Sequence, residues 1–167
     1  MANSECGYTV ERTYDTKLIE SVMFSPEIWE TTAEDGFTQD SFIAEVKKEC
    51  WVTIKSSGSL IGLCNIHGIN SVTCQIHPMV YPEWRGKTAY NAGEQILRWV
   101  TANTKYHKII CEVPKIYRNV ILFALSCGFI REGENRLSYL KHGKLHNMAL
   151  LGITREEIEA LNHVKGN

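Results

Sequence analysis

Residues 80 to 92, Val-Tyr-Pro-Glu-Trp-Arg-Gly-Lys-Thr-Ala-Tyr-Asn-Ala, carry an apolar strand through a proline turn and an Arg-Gly pair directly into a helix. That order places a strand end, a sharp turn and a helix start side by side, with no room for a linker. The first turn of a helix leaves backbone N–H groups unpaired at the positive end of its dipole, so Arg85, Gly86, Lys87, Thr88, Ala89 and Tyr90 form a candidate cradle for an anion such as phosphate.

The chain has 167 residues, 44% hydrophobic and 22% charged. This is enough for one sizeable core and short for two domains, so a single domain over 1–167 is expected. Eighteen Lys and Arg stand against 19 Asp and Glu, with no run of five like charges, and nucleic acid is disfavoured as a partner. No apolar run reaches the roughly 18 residues of a membrane span, and Met1 to Gly7 is polar, so neither membrane association nor export is expected. The expected location is the cytoplasm. The six cysteines, at 6, 50, 64, 74, 111 and 127, show neither CxxC nor metal-ligand spacing. They read as small buried hydrophobes in a reducing compartment, and no metal site is expected.

Periodicity and punctuation predict the following elements. Tyr8–Thr13 is a strand by alternation. Lys17–Phe24 and Ser25–Thr32 are helices, the second capped by Ser25, opened by Pro26 and closed by Gly36. Asp40 caps a further helix, Ser41–Lys48, in which Phe42, Ile43 and Val46 recur at helical spacing. Cys50–Lys55 and Ser59–Asn70 pair around Ser56-Ser57-Gly58, and Val72–Val80 completes an antiparallel meander. Ala89–Ala102 is a helix with Ala89, Ala92, Gly93, Ile96 and Val100 on one face. Lys108–Val113 is a nearly continuous apolar strand ended by Pro114, and Ile116–Ser126 is a helix stopped by Gly128. Leu137–Leu140 and Leu145–Leu151 form a hairpin about His142-Gly143-Lys144. Thr154 opens a last helix through a capping box with Glu157.

This order, α+β with a mixed and mostly antiparallel sheet flanked by helices, is also that of the GNAT superfamily of acyl-CoA-dependent N-acyltransferases. Two stretches carry the resemblance. Val80-Tyr81-Pro82-Glu83-Trp84-Arg85-Gly86-Lys87 resembles the family's strand-to-loop entry, after which Arg/Gln-x-x-Gly-x-Gly/Ala amides hold the coenzyme A pyrophosphate. Arg85 matches the first motif position, while Thr88 and Tyr90 stand where the small residues belong. Glycine lets backbone approach phosphate closely, so both departures crowd the site, although the Thr88 hydroxyl is itself a donor. The second stretch, Tyr117 to Phe129, is similar to the family's helix ending in Gly-Phe. Tyr117 then stands at an Asn position, and Ala124 stands where many members use a Tyr to reprotonate the thiolate. Val120-Ile121 and Ala124, with Asn119 and the ending around Lys141 to Glu157, most resemble phage-encoded GNAT-like proteins.

The resemblance implies acetyl-CoA as cosubstrate, held by Met79, Val80, Arg85 to Tyr90 and Tyr117, and a small-molecule or protein amine as acceptor. Glu112, a carboxylate in an otherwise apolar strand, and His77, a neighbour of His67, are the candidate general bases. A satisfied structural role is the alternative reading for each. Two functions remain open: direct acyl transfer to an amine in the cytoplasm, of a host cell if phage-encoded, or a non-catalytic role in particle assembly or host-protein binding. An exposed final strand leaves room for a homodimer.

Overall fold

The computed structural model describes residues 7–165. Seven strands form one sheet in the order β1-β2-β3-β4-β5-β7-β6, with five α-helices. The fold class expected from the sequence is therefore the one observed. By contact density the chain divides into two units, one running to His67 and resuming over His77–Ile96, the other comprising Gly68–Ile76 and everything from Leu97.

In the first unit, β1 (Tyr8–Thr13), β2 (Cys50–Ser56) and β3 (Ser59–Gly68) pair antiparallel, Tyr8 opposite Ser56 and Trp51 opposite Asn65. The β2–β3 turn is two residues, Ser57 and Gly58, both at positive φ (47° and 83°), the mirror-image turn whose twist matches the strands. α1 (Thr16–Met23) is capped by Asp15, whose carboxylate accepts from Leu18 N at 3.0 Å, and buries Ile19, Val22 and Met23. In α2 (Pro26–Thr32) proline opens the first turn, but the Ser25 hydroxyl turns back to donate to the Val22 carbonyl and gives no side-chain cap. Gly36 does not close this helix. The chain leaves it at Ala33, and Gly36 sits at φ +90° in a turn of its own.

The helix expected over Ser41–Lys48 is not formed. Gln39–Ser41 makes one 3₁₀ turn and the chain then runs irregularly to β2. Ala44 is buried and Phe42 and Val46 pack with it on the core, while Ile43 is 70% exposed. That is a period of two, and a helix would place Phe42 and Ala44 on different faces. The local spacing was overridden by the core formed from α1, α2, Trp51, Leu63 and Met79.

The end of β4 (Thr73–Val80) lies against β3: Tyr81 N donates to Ile61 O at 3.0 Å, and a Cβ on Gly62 would stand 2.0 Å from the Met79 carbonyl oxygen. Only glycine admits that approach. A Gly62→Ala variant is therefore expected to lose about 2 kcal/mol or more in chemical denaturation. α3 spans Lys87–Asn103, beginning two residues before the expected start, and buries the face predicted for it.

In the second unit β4 pairs parallel with β5 (Lys108–Pro114) over Thr73–Gln75. β5 pairs antiparallel with β7 (Lys144–Thr154), and β7 with the edge strand β6 (Ile130–Lys141). The hairpin is far longer than expected because residues 131–136 are polar on a sheet edge and show no apolar alternation. His142 and Gly143, at φ 52° and 70°, make its turn. α4 (Arg118–Ser126) starts two residues after its expected beginning, with Tyr117 as its N-cap residue, and Gly128 at φ +96° ends it. α5 (Arg155–Lys165) opens on the expected capping box: Glu157 accepts from Thr154 N at 2.8 Å and donates its own N–H to the Thr154 hydroxyl oxygen at 3.3 Å.

α3 has no basic residue in its last turn. Arg155 supplies the missing cation: its guanidinium donates to Thr101 O at 2.6 Å, to Thr104 O at 3.0 Å and twice to Tyr106 O at 3.2 and 2.8 Å. These four charge-assisted bonds go to carbonyls at and just beyond the helix's negative end. Arg155→Met should destabilise the fold by about 2–4 kcal/mol in denaturant titration, since it strands several carbonyls at once.

Candidate active site

The sequence places most candidate ligand contacts on one short path, and in the first unit the backbone explains why. β4 ends at Val80, Pro82–Trp84 makes a 3₁₀ turn, and Gly86 takes φ +84°, a left-handed conformation with open space around it. That inversion turns the chain into α3. Trp84 N donates to Tyr81 O, Arg85 N to Pro82 O at 3.2 Å, and Tyr90 N to Gly86 O at 3.0 Å. The amides at both ends of the Arg85–Tyr90 span are therefore already bonded. The cradle narrows to Gly86, Lys87, Thr88 and Ala89, whose amides have no partner among the described residues, as the first turn of a helix requires.

The charges around this turn are inverted from what an isolated helix prefers. Arg85 and Lys87 are exposed, neither enters an ion pair among the described residues, and no acid lies in the first turn of α3. α2 and α5 carry Glu27 and Glu156 with Glu157 at the same position. A cation beside a helix N-terminus costs about 0.3–1 kcal/mol, so two of them without a carboxylate suit an anion that arrives from outside. Thr88 and Tyr90 are half-buried and Ala89 is buried against the core. Asn91 Nδ2 donates to the Tyr8 hydroxyl at 3.4 Å, tying the turn to β1. Tyr81, just before the turn, has its phenol pushed up by burial and by the charge of Glu83.

His67 on β3 and His77 on β4 stack with centroids 5.4 Å apart and planes 8° from parallel. Burial, and secondarily the charge of His67, lowers the His77 pKa from 6.5 to about 4. His77 is thus neutral at pH 7 but a much weaker base than a free imidazole. The consequence for stability has a definite sign. Unfolded His77 takes up a proton below about 6.5 while the folded residue resists until about 4, so its contribution is complete above 6.5 and is lost as pH falls through that window. A thermal-unfolding series from pH 7 to pH 4 should show this loss, and His77→Asn should flatten it.

In the second unit Glu112 lies half-buried on β5, in register with Leu150. Its charge is one of three influences, after burial and Cys127, that push the Cys111 thiol up to about 12 and keep it protonated. Cys64, Cys74, Cys111 and Cys127 are buried, Cys50 is half-buried and all five are free thiols, while Cys6 lies outside the described residues. Among the described residues no three His, Cys, Asp or Glu are grouped to hold a metal, and no helix is long and apolar enough to cross a membrane. Tyr117 caps α4, and its carbonyl accepts from Val120 and Ile121. Ala124 is buried on the same helix and offers no proton.

Three features escaped the sequence reading. Tyr139, buried on β6, meets Tyr117 edge to face at 6.5 Å, and no local pattern in that polar strand marked it. Gly62 admits the Met79 carbonyl, which only strand neighbours reveal. Trp51 is in the core, yet its indole N–H has no hydrogen-bond partner among the described residues, which no local pattern marks.

Residues 17–164 match a family described as a protein of unknown function, DUF2824. No curated protein gives a significant sequence match. Among solved structures the chain is similar to a spermidine N-acetyltransferase from Vibrio cholerae in complex with CoA and spermine, at a TM-score of 0.77 and 18% identity over 93% of this chain and 99% of that one. A dodecameric structure of the Vibrio cholerae spermidine N-acetyltransferase matches at 0.72 and 16% identity, covering 92% and 96%. A ribosomal-protein-S5-alanine acetyltransferase from Vibrio fischeri matches at 0.74 and 13% identity, covering 93% and 97%. Identities this low speak for the fold, and that fold is the GNAT arrangement expected from residues 80–92 and 117–129.

Proposed function

The chain belongs to the DUF2824 family, and from that premise we propose that it is an acyl-CoA-dependent N-acetyltransferase that transfers an acetyl group directly to an amine in the cytoplasm. The observation that carries this reading is the first turn of α3. Four amides without a partner among the described residues, Gly86 to Ala89, adjoin two cations without an ion pair there, Arg85 and Lys87, at the positive end of a 17-residue helix. A diphosphate answers all three at once, and coenzyme A carries one. The fold shared with acetyltransferases, one of them solved with CoA, supports the same assignment.

In this reading the end of β4, around Met79 and Val80, contributes to holding the coenzyme. The amine nitrogen attacks the thioester carbonyl carbon, the C–N bond forms and the C–S bond breaks. The amine's proton passes to a base, and the departing thiolate takes a proton from water, because Ala124 has none to give. Glu112, half-buried on β5, is the base this reading assigns. His77, at about 4, has little affinity for a proton. Glu112→Gln should cut kcat by about 10²-fold or more and His77→Asn by much less, a ranking that steady-state kinetics decides.

Thr88, Tyr90 and the buried Ala124 favour a second reading, a phage-encoded GNAT-like protein used in particle assembly or host-protein binding without catalysis. The turn itself separates the two. Arg85→Glu with Lys87→Glu puts acids at the helix start, so the variant should unfold at equal or higher temperature without ligand, yet bind coenzyme A about tenfold or more weakly in calorimetric titration. Unchanged affinity removes the turn as the coenzyme site. Coenzyme binding without turnover on a panel of amines replaces the enzyme with the binding protein.

A further inference from the structure

The end of the β6–β7 hairpin runs out from under the core of the second unit. On one face of β7 Ile153, Leu151 and Ala149 are buried, but Asn147, next on that face, is half-buried and Leu145 after it is 56% exposed. Leu140, opposite Leu145 on β6, is 38% exposed.

Close by, β6 leaves its ladder. Residues 136–138 pair with no residue of β7, and in their midst Leu137 takes φ +52° with its side chain 62% exposed. The left-handed region is costly for a bulky side chain, and a residue is kept there only where its surroundings fix it. Here they are polar and specific. Asn147 Oδ1 accepts from Leu137 N at 2.9 Å while its Nδ2 donates to Glu134, and Glu134 accepts from Lys115 Nζ at 3.0 Å and from Arg131 at 2.8 Å. Lys115 N donates in turn to the Asn147 carbonyl at 2.9 Å. Asn147 and Leu145 share a face, so this bond draws Leu137 to the side of the Leu140–Leu145 pair. Bulges commonly blunt a sheet edge, and β6 is an edge of this sheet. A charge, a proline or a glycine serves that purpose without strain. A leucine adds strain and puts apolar surface into solvent, which edge protection does not require.

Charge indicates what meets this surface. From Asn135 to Thr154 the chain carries Arg136, Lys141 and Lys144 and no Asp or Glu. The two carboxylates just before, Glu132 and Glu134, are taken up by Lys108 at 2.5 Å and by Lys115 and Arg131. Arg136 and Lys144 are exposed and enter no ion pair among the described residues. A two-fold contact with a second copy would set cation against cation. A bilayer suits leucines and cations, but lipid cannot pair the backbone N–H and C=O groups on the outer side of an edge strand. An extended peptide pairs such groups by lying beside the strand.

We propose that the outer half of the β6–β7 hairpin is a docking surface for an acidic, extended segment of another protein. The segment's apolar side chains meet Leu137, Leu140 and Leu145, and its carboxylates meet Arg136 and Lys144. The surface lies wholly within the second unit and requires neither coenzyme nor turnover.

Three labelled heptapeptides, alternating Glu with Leu, Lys with Leu, and Glu with Ser, test this on the full chain by fluorescence anisotropy. The Glu–Leu peptide should bind at least about tenfold more tightly than either of the others at low salt. Its advantage over Lys–Leu should shrink as ionic strength rises, and its advantage over Glu–Ser should persist. Leu137→Gly removes the side chain and the strain together. That variant should unfold at an equal or higher temperature and yet bind the Glu–Leu peptide about fivefold or more weakly, a combination that a merely structural leucine does not give. Arg136→Glu with Lys144→Glu should reverse the preference in favour of Lys–Leu. In NMR the Glu–Leu peptide should move the amide resonances of residues 136–146; shifts confined to residues 86–89 would put it at the α3 turn and overturn the proposal. Equal binding of all three peptides, or undiminished binding by Leu137→Gly, overturns it as well. Binding to vesicles of phosphatidylserine and phosphatidylcholine without binding to the peptide assigns the surface to a membrane instead. Salt-sensitive self-association in sedimentation that is lost on charge reversal assigns it to a second copy.

Discussion

The unpaired backbone groups at the two ends of α3 are the constraint around which the rest is arranged. A helix cannot satisfy its own first amides or last carbonyls, and 17 residues of aligned peptide dipoles give each end real charge. At the C-terminal end the fold answers with its own side chain: Arg155, brought in by the capping box that starts α5, donates to three carbonyls. At the N-terminal end it answers with nothing internal and adds two cations. One end is closed by structure, and the other is the end at which the coenzyme site is proposed.

That asymmetry makes the turn at Gly86 more informative than its departures from the family motif. Side chains at Thr88 and Tyr90 crowd a phosphate, but they are half-buried and the amides of Gly86 to Ala89 remain unbonded. Where the motif glycines matter is backbone approach, and Gly86, at φ +84° with open space about it, offers that freedom two residues before Thr88 and four before Tyr90. The neutral, stacked His77 shows the opposite relation between sequence and site. A histidine on a strand suggested a base, and burial beside His67 took away most of its basicity.

Elements with a strong internal period or explicit punctuation were legible: β1, the β2–β3 hairpin, the buried face of α3, Gly128 and the Thr154–Glu157 box. Elements set by their neighbours were not. Residues 42–46 have apolar spacing that suits a helix, yet they run irregularly because the cluster of α1, α2 and Trp51 accepts Phe42, Ala44 and Val46 on one side. β6 is polar along half its length because it is a sheet edge, and nothing local announces an edge. Of the candidate site, the turn and helix start were readable from Pro82, Arg85 and Gly86, whereas the surroundings of Met79, Glu112 and Tyr117 depend on what packs beside them.

The sequence alone determined the strongly periodic elements, the strand-turn-helix at residues 80–92, the concentration of negative charge in residues 20–49 and the absence of a proton donor at Ala124, because each is a property of neighbouring residues or of side-chain chemistry. Tertiary structure alone decided which amides stay free, that Gly62 must admit the Met79 carbonyl, that Arg155 closes α3, that His77 loses its basicity and that the Trp51 N–H is left without a partner. These depend on burial and on contacts between residues far apart in the chain, and burial is what turns an ordinary side chain into a perturbed or unsatisfied one.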